Sequence, residues 1–231
     1  MSVKKHWWKA VGVLLVAYSI YAGFLNEVPR LDVLNESIRN LYFHVSMWFV
    51  MVPMMLVSLI FSIRFLKSQN PRFDKRASIF AETGMFFALM GLVTGSLWAK
   101  FTWGTFWTND PKLNGTAITL LIYTAYFILR GSMNNEDQRG RLSAVYNVFA
   151  FVLMIVFIGV LPRLTDSLHP GNGGNAGFNQ YDLDSRMRVV FYPAVIGWNL
   201  IGVWFAQLTF RIKTAREAII NQQEITDEIL D

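Results

Sequence analysis

The sequence predicts an all-α membrane protein whose 231 residues form a single bundle of six transmembrane helices. Two observations lead to this prediction. The chain is 53% hydrophobic and only 16% charged. Its apolar residues are also gathered into runs close to the roughly 20 residues that a helix needs to cross a bilayer. Because lipid offers no partner for bare backbone groups, each run is expected to be helical or nearly so.

The six predicted spans cover residues 7–24, 41–65, 79–97, 113–129, 142–161 and 189–210. The fourth span has the weakest pattern, because Asn114, Gly115 and several threonines dilute its first turns. The first span is expected to be retained, since no small-residue cleavage site follows Phe24. Residues 211–231 are predicted to form a solvated, partly helical tail.

The distribution of positive charge predicts that both termini are cytoplasmic. In that orientation 14 of the 21 Lys and Arg residues fall on the cytoplasmic side and 7 on the outer side. The loops at about 98–115 and 162–187, and the segment 26–40, are therefore expected on the outer side of the membrane. The net charge of +5 is explained by this bias and gives no reason to expect a nucleic-acid partner.

Several function classes are excluded by composition. The chain has no cysteine, so structural disulfides, thiolate metal sites and thiol catalysis are ruled out. It also has no Walker-type glycine-rich loop, so it does not hydrolyse ATP by that route. A redox role would have to use a bound cofactor.

Three of the eight tryptophans, Trp98, Trp103 and Trp107, fall within ten residues in the loop between the third and fourth spans. Two of them, Trp103 and Trp107, belong to the pattern Trp-Gly-x-x-Trp-x-x-Asp, which includes Gly104 and Asp110, and Trp98 lies just upstream. Aromatic belts at the membrane interface are the ordinary explanation for such tryptophans. A belt does not need a fixed spacing with a glycine and an acid, so the pattern favours a flat aromatic binding surface.

Two of the three histidines fall on the same predicted side as this loop. His44 lies about one turn inside the second span, where an ionisable group is costly and marks a candidate functional site. His169 lies in the outer loop, just before the glycine-rich residues 171–177. Taken singly, each has an ordinary explanation: a hydrogen bond to a neighbouring helix, or solvation in a loop. His6 is interpreted as an interfacial anchor.

Two imidazoles beside an aromatic surface fit a non-covalently bound haem b, whose iron takes two axial ligands and whose macrocycle stacks on aromatic rings. Zinc fits less well, because structural zinc sites need four ligands. Arg39 and Lys112 are candidate partners for the haem propionates. The alternative for both is ordinary snorkelling at the interface.

The motif Trp103-Gly104-x-x-Trp107-x-x-Asp110-Pro111-Lys112 resembles the tryptophan-rich "WWD" signature of haem-handling proteins in c-type cytochrome biogenesis. With Arg39-x-x-Tyr42-x-His44 before it and Leu168-His169-Pro170 after it, the chain resembles the CcmC family of haem exporter proteins from Arg39 to about Phe210. The chain departs from the family at Asn109, where another tryptophan is common, and Phe106 stands where an aromatic residue is expected.

The resemblance implies that haem is held at the outer face of the bacterial inner membrane, with His44 and His169 as axial ligands. Trp103, Trp107 and Asp110 would form the platform. It also implies a non-enzymatic role in which haem passes to a periplasmic chaperone of the CcmE type. A small helper membrane protein of the CcmD type is a second implied partner, and ABC transporter subunits of the same pathway are considered as well.

Three alternatives stay open at this point. A haem lyase is the second reading, since the loop also resembles that of the CcsA and CcmF proteins, although those relatives use further histidines that this chain does not have. A transporter that moves haem across the bilayer is another, but the chain has no clear ion-coupling carboxylate in the middle of a span, and Glu82 has no assigned role. Electron transfer would need a second cofactor site.

In the leading interpretation, haem delivery, His169 is the more exchangeable ligand, because a glycine-rich loop moves at lower cost than a packed helix.

Overall fold

The computed structural model describes residues 6–31, 33–169, 178 and 183–230. Every regular element in this part of the chain is helical. Six of the helices are long and apolar enough to span a membrane, which confirms the predicted all-α, six-span architecture. The elements in order are α1 (Trp7–Leu25), a 3₁₀ turn (Asn35–Asn40), α2 (Leu41–Ser68), α3 (Pro71–Trp103), α4 (Pro111–Gly131), α5 (Glu136–Ile155), a π-helical turn (Val156–Val160), α6 (Leu161–Leu164) and α7 (Ser185–Leu230).

The hairpin of α2 and α3 is the centre of the bundle. Helix α1 packs on α7 and α4 packs on α5, and both pairs lie against the central hairpin. Glycines on α3 allow the close approach of α2: Gly84 faces Met55, and Gly91 faces the ring of Trp48. Methionines and tyrosines fill much of the space between the helices, among them Met47, Met51, Met54, Met55, Tyr123, Tyr126 and Met154.

The connections alternate between the two ends of the bundle. At one end, which we call the loop end, residues 26–40 contact the last turns of α3 through the bond from Trp98 to Ser37, and residues 104–110 contact 165–169 through the bond from Ser167 to Asp110. At the opposite end, the side chain of Arg141 on α5 donates to Gln69 between α2 and α3.

Two helices, α3 and α7, extend furthest beyond the spans that the sequence pattern predicts. Helix α3 continues to Trp103, so Trp98 and Trp103 lie on a helix and the aromatic connection is limited to residues 104–110. Helix α7 runs unbroken for 46 residues through the segment predicted as a partly helical tail. Ion pairs support this extension, since Lys75 of α3 contacts Glu217 of α7 at 2.6 Å.

Glu82, which the sequence left without a role, forms an ion pair with Lys213 of α7. The Lys213 Nζ lies 2.6 and 2.7 Å from the two carboxylate oxygens, and Ser78 donates to one of them at 3.1 Å. Both side chains are partly exposed. This geometry assigns Glu82 to helix packing between α3 and α7.

We expect Lys213→Met to destabilise the protein by about 1 kcal/mol, the upper range for a partly exposed pair. Glu82→Gln should cost a similar amount, and the double variant should cost less than the sum because the two residues share one interaction. Thermal unfolding in detergent measures these differences, with Arg216→Met on the exposed side of α7 as the control. Fully additive effects would contradict the pairing.

Candidate functional site

His44 is held in one orientation between α2 and α3. Its Nδ1 lies 2.9 Å from the carbonyl oxygen of Gly91, which can only accept a hydrogen bond. Its Nε2 lies 3.3 Å from the indole Nε1 of Trp48, which can only donate. Both contacts require the same neutral tautomer, with the proton on Nδ1 and the lone pair on Nε2.

The surface of α3 against which His44 packs, which we call the seat of His44, is formed by Gly91 and Gly95. The sequence pattern did not assign these two glycines to the site. The imidazole lies where a Cβ of Gly95 would be, and the Trp48 ring lies 2.8 Å from where a Cβ of Gly91 would be. The spacing Gly91-x-x-x-Gly95 indicates close helix packing, and that packing is what brings the carbonyl of Gly91 within reach of His44.

Two tryptophans border the His44 ring edge-on. The ring centroids of Trp48 and Trp98 lie 6.0 and 5.9 Å from that of His44, with interplanar angles of 80° and 73°. The indole N–H of Trp98 points elsewhere and donates to the Ser37 hydroxyl at 3.1 Å. Trp98 therefore belongs to the surroundings of His44, and it lies on helix α3 and not in a loop.

His169 is oriented by Asp110. The imidazole Nδ1 lies 3.0 Å from Oδ1 of Asp110, so it donates to the carboxylate and leaves the lone pair on Nε2. The ring also meets Trp103 edge-on, with centroids 5.0 Å apart. This is the carboxylate–histidine arrangement that fixes the tautomer of metal-ligating histidines. The glycine-rich residues 171–177 lie outside the described residues.

Asp110 has a second structural role as the N-cap of α4. Its Oδ1 accepts from the N–H groups of Lys112 and Leu113 at 2.9 and 3.3 Å. Its Oδ2 accepts from the hydroxyl of Ser167 at 2.8 Å and from the N–H of Leu168 at 2.7 Å. The carboxylate is almost completely buried, so it joins the start of α4 to the His169 segment.

The charge of Asp110 is stabilised by these donors. Burial alone raises the pKa of the carboxyl group. The hydrogen bonds from His169, from the Leu168 N–H and from the Ser167 hydroxyl outweigh that effect and hold the pKa of Asp110 well below its ordinary range. The acceptor of the His169 Nδ1–H is therefore the carboxylate anion of Asp110.

The loop between α3 and α4 displays aromatic surface. Gly104 ends α3 with a φ of +78°, a left-handed conformation that favours glycine, and this explains the glycine of the motif. Beyond it, Phe106 and Trp107 are exposed. The amide of Asn109 is bonded to that of Asn114 on α4 at 2.7 Å. Asn109 thus braces the loop against α4, at the position where a tryptophan was expected.

The two basic residues predicted to meet propionates differ in their surroundings. Arg39 donates to the last carbonyls of α1, those of Gly23 and Asn26, at 3.0 and 2.5 Å, and its Nε pairs with Glu36. It therefore fixes the end of α1 to the 3₁₀ turn. Lys112 is partly buried in the first turn of α4.

The structure brings the predicted residues together at the loop end in two adjoining groups. One surrounds His44 and the other surrounds His169. Their tryptophans, Trp98 and Trp103, are five residues apart on α3, a rise of about 7.5 Å along the helix. The described residues contain no cluster of three or more His, Asp or Glu side chains placed as a metal site, so a metal here would rely on these two histidines and on ligands of its own.

Fold and site together define a multi-pass membrane protein with two oriented histidines beside a tryptophan-rich loop at one end of its bundle. The family model described as "Heme exporter protein C" (CcmC) matches residues 2–229. The chain therefore belongs to the CcmC family, as the resemblance of its loop motif predicted.

The family model matches nearly the whole chain, whereas the sequence identity to individual haem exporter proteins is low. The chain is 25% identical to "Heme exporter protein C" of Rhodobacter capsulatus over 209 residues, which are 90% of this chain and 84% of that protein. It is 29% identical to the protein of the same name from Bradyrhizobium diazoefficiens over 140 residues, 60% of this chain and about half (52%) of that protein. A shorter match, 39% identity over 77 residues, joins it to "Cytochrome c biogenesis protein CcsA" of Prochlorococcus marinus and covers 33% of this chain and 24% of that protein.

Proposed function

We propose that this protein binds haem between His44 and His169 at the outer face of the bacterial inner membrane and delivers it to a periplasmic haem chaperone. Membership of the CcmC family, together with the similarity to CcsA, supports a role in cytochrome c biogenesis. The observation that carries the binding proposal is the tautomer shared by both histidines. Each is bonded through Nδ1, so each would ligate iron through Nε2.

The residues present fit a haem with two axial imidazole ligands. The porphyrin supplies the iron with its other ligands, so two histidines on one side of the bundle are sufficient. The exposed rings of Phe106 and Trp107 offer flat apolar surface on which a macrocycle can stack, and Trp103 packs against the His169 ring. Lys112 supplies a positive charge for a propionate, and Arg39 is the second candidate, acting from the adjoining 3₁₀ turn.

We infer delivery from a difference between the two histidines in how firmly the surrounding structure holds them. His44 is fixed by contacts between two packed helices, whereas His169 lies in a connecting segment after α6 and is held through Asp110. We expect His169 to be exchanged first when the acceptor binds, since a connecting segment moves at lower cost than a packed helix. The exposed loop at 104–110 is the surface that the chaperone would meet, with a small CcmD-like membrane protein and ABC transporter subunits as further partners.

The proposal is tested in a bacterial strain whose own copy of the gene is deleted. Wild-type protein and a His6→Ala control should restore c-type cytochromes, measured by haem staining of separated proteins, and should be purified with haem bound. His44→Ala and His169→Ala should fail in both measurements while reaching the membrane in normal amounts. Full restoration by both variants would overturn the proposal.

A haem lyase is the second candidate, because the CcsA relative shares 39% identity with part of this chain. A lyase would join the haem vinyl groups covalently to an apocytochrome. Purified protein incubated with haem and an apocytochrome distinguishes the two functions. We expect no covalent product without further proteins, and a covalent adduct formed by this protein alone would favour the lyase.

A further inference from the structure

We propose that Trp48 caps the ligating nitrogen of His44 in the haem-free protein and is displaced when iron binds there. The inference deepens the proposed function and rests on His44 being an iron ligand. Trp48 is not part of the tryptophan-rich loop, since it lies on α2 one turn after His44. Its indole Nε1 donates to His44 Nε2 at 3.3 Å, the atom whose lone pair iron would need.

Iron and the Trp48 indole cannot use this lone pair at the same time. The opposite nitrogen of the ring gives no alternative, because Nδ1 donates to the carbonyl of Gly91 and lies 3.4 Å from the Thr94 hydroxyl. Binding through Nε2 therefore keeps the seat of His44 on α3 intact and breaks one contact only. That contact is the hydrogen bond from Trp48.

The packing of Trp48 limits where its ring can move. The edge of the indole from Nε1 to Cζ2 is pressed against Gly91, and it takes the space that a Cβ would need there. Movement towards α3 is therefore blocked. Trp48 is only partly buried. We therefore infer that its ring leaves Nε2 by turning towards its exposed side while the two helices stay packed.

The cap has a consequence for haem transfer. Because the indole competes with iron, it lowers haem affinity by about the value of one hydrogen bond, or roughly 2- to 10-fold. When haem leaves, the N–H of Trp48 returns to Nε2 and satisfies it. A delivery protein gains from such a competitor, since a ligand that is capped on release favours the forward transfer to an acceptor.

The chain offers a matched control for the test. Trp48→Phe keeps an aromatic ring against Gly91 but removes the N–H that reaches His44. Trp98→Phe makes the same change at the same ring distance from His44, yet its N–H is bonded to Ser37. The two variants therefore separate the loss of the cap from the loss of an indole near the site.

The first measurement needs no haem. Haem-free protein is treated with diethyl pyrocarbonate, and modification of each histidine is followed by mass spectrometry. We expect His44 to react about 2- to 10-fold faster in Trp48→Phe and at the wild-type rate in Trp98→Phe. His6, remote from the site, serves as the internal reference in every sample.

The second measurement is haem affinity, taken from the haem absorption band during titration. Trp48→Phe should bind haem about 2- to 10-fold more tightly than wild type, and Trp98→Phe should show no gain. An unchanged His44 modification rate in Trp48→Phe, or weaker haem binding by it, overturns the cap. Faster modification in a protein whose wild-type form binds no haem would leave the cap standing and refute the proposed haem site instead.

Discussion

Replacement of Asp110 by alanine is expected to lower haem affinity about 10- to 100-fold, the range found when the partner of a metal-ligating histidine is removed. The Nδ1 of His169 would lose its acceptor, so the ring could turn and adopt the other tautomer. The same change removes the N-cap of α4, which should destabilise the protein by about 1 kcal/mol. Haem titration and thermal unfolding of the purified variant measure the two effects.

The variant Asp110→Asn tests the second carboxylate oxygen. The amide oxygen of asparagine can replace Oδ1, which caps α4 and accepts from His169. Its amide nitrogen replaces Oδ2 and cannot accept from the N–H of Leu168 as the carboxylate oxygen does. We therefore expect the segment that carries His169 to move, with a loss of haem affinity and a loss of stability of about 1–3 kcal/mol from the buried unpaired donors. Asp166→Asn, an exposed carboxylate in the same segment, is the control, and wild-type haem affinity in Asp110→Asn would contradict the orienting role of Asp110.

Gly95→Ala is expected to abolish the seat of His44. The added methyl group would occupy the position of the imidazole, and the Gly91 carbonyl bond would be lost as the ring moved away. Overpacking at a helix contact costs about 1–3 kcal/mol, so α2 and α3 should also pack less stably. We expect haem binding to weaken by at least as much as in Asp110→Asn.

Gly131→Ala provides the comparison for this variant. It lies at the end of α4, and nothing is within 4 Å of the position of its Cβ. The substitution should leave haem binding unchanged and keep or slightly raise stability, because alanine is the better helix former. If Gly95→Ala bound haem as tightly as Gly131→Ala, His44 could not be the ligand that the structure positions.

The six helices could be predicted because their apolar runs are long enough to leave no other structure in lipid. Their ends were less predictable. Helix α3 reaches Trp103 because Gly104 provides a left-handed stop, and α7 continues because contacts such as Lys75–Glu217 hold it to α3. Neither effect appears in a hydropathy pattern. The sequence Asp110-Pro111 did contain a start signal for α4, since proline at N1 follows a capping residue.

The site was only partly predictable for a similar reason. The type and spacing of His44, His169 and the loop tryptophans indicate a cofactor surface without any structure. Their supporting contacts are tertiary: the carbonyl of Gly91 meets His44 from another helix, and Ser167 reaches Asp110 across 57 positions of sequence. In the sequence Trp48 is one more apolar residue of α2, and only the structure shows its indole N–H bonded to Nε2 of His44.

The central claim is tested most directly by the absorption and electron paramagnetic resonance spectra of the ferric protein purified with haem. We predict a six-coordinate low-spin spectrum for wild type and for His6→Ala. His44→Ala and His169→Ala should each lose haem or change to a high-spin spectrum with one histidine ligand. A wild-type protein that binds no haem, or a low-spin spectrum that survives both substitutions, would contradict ligation by His44 and His169.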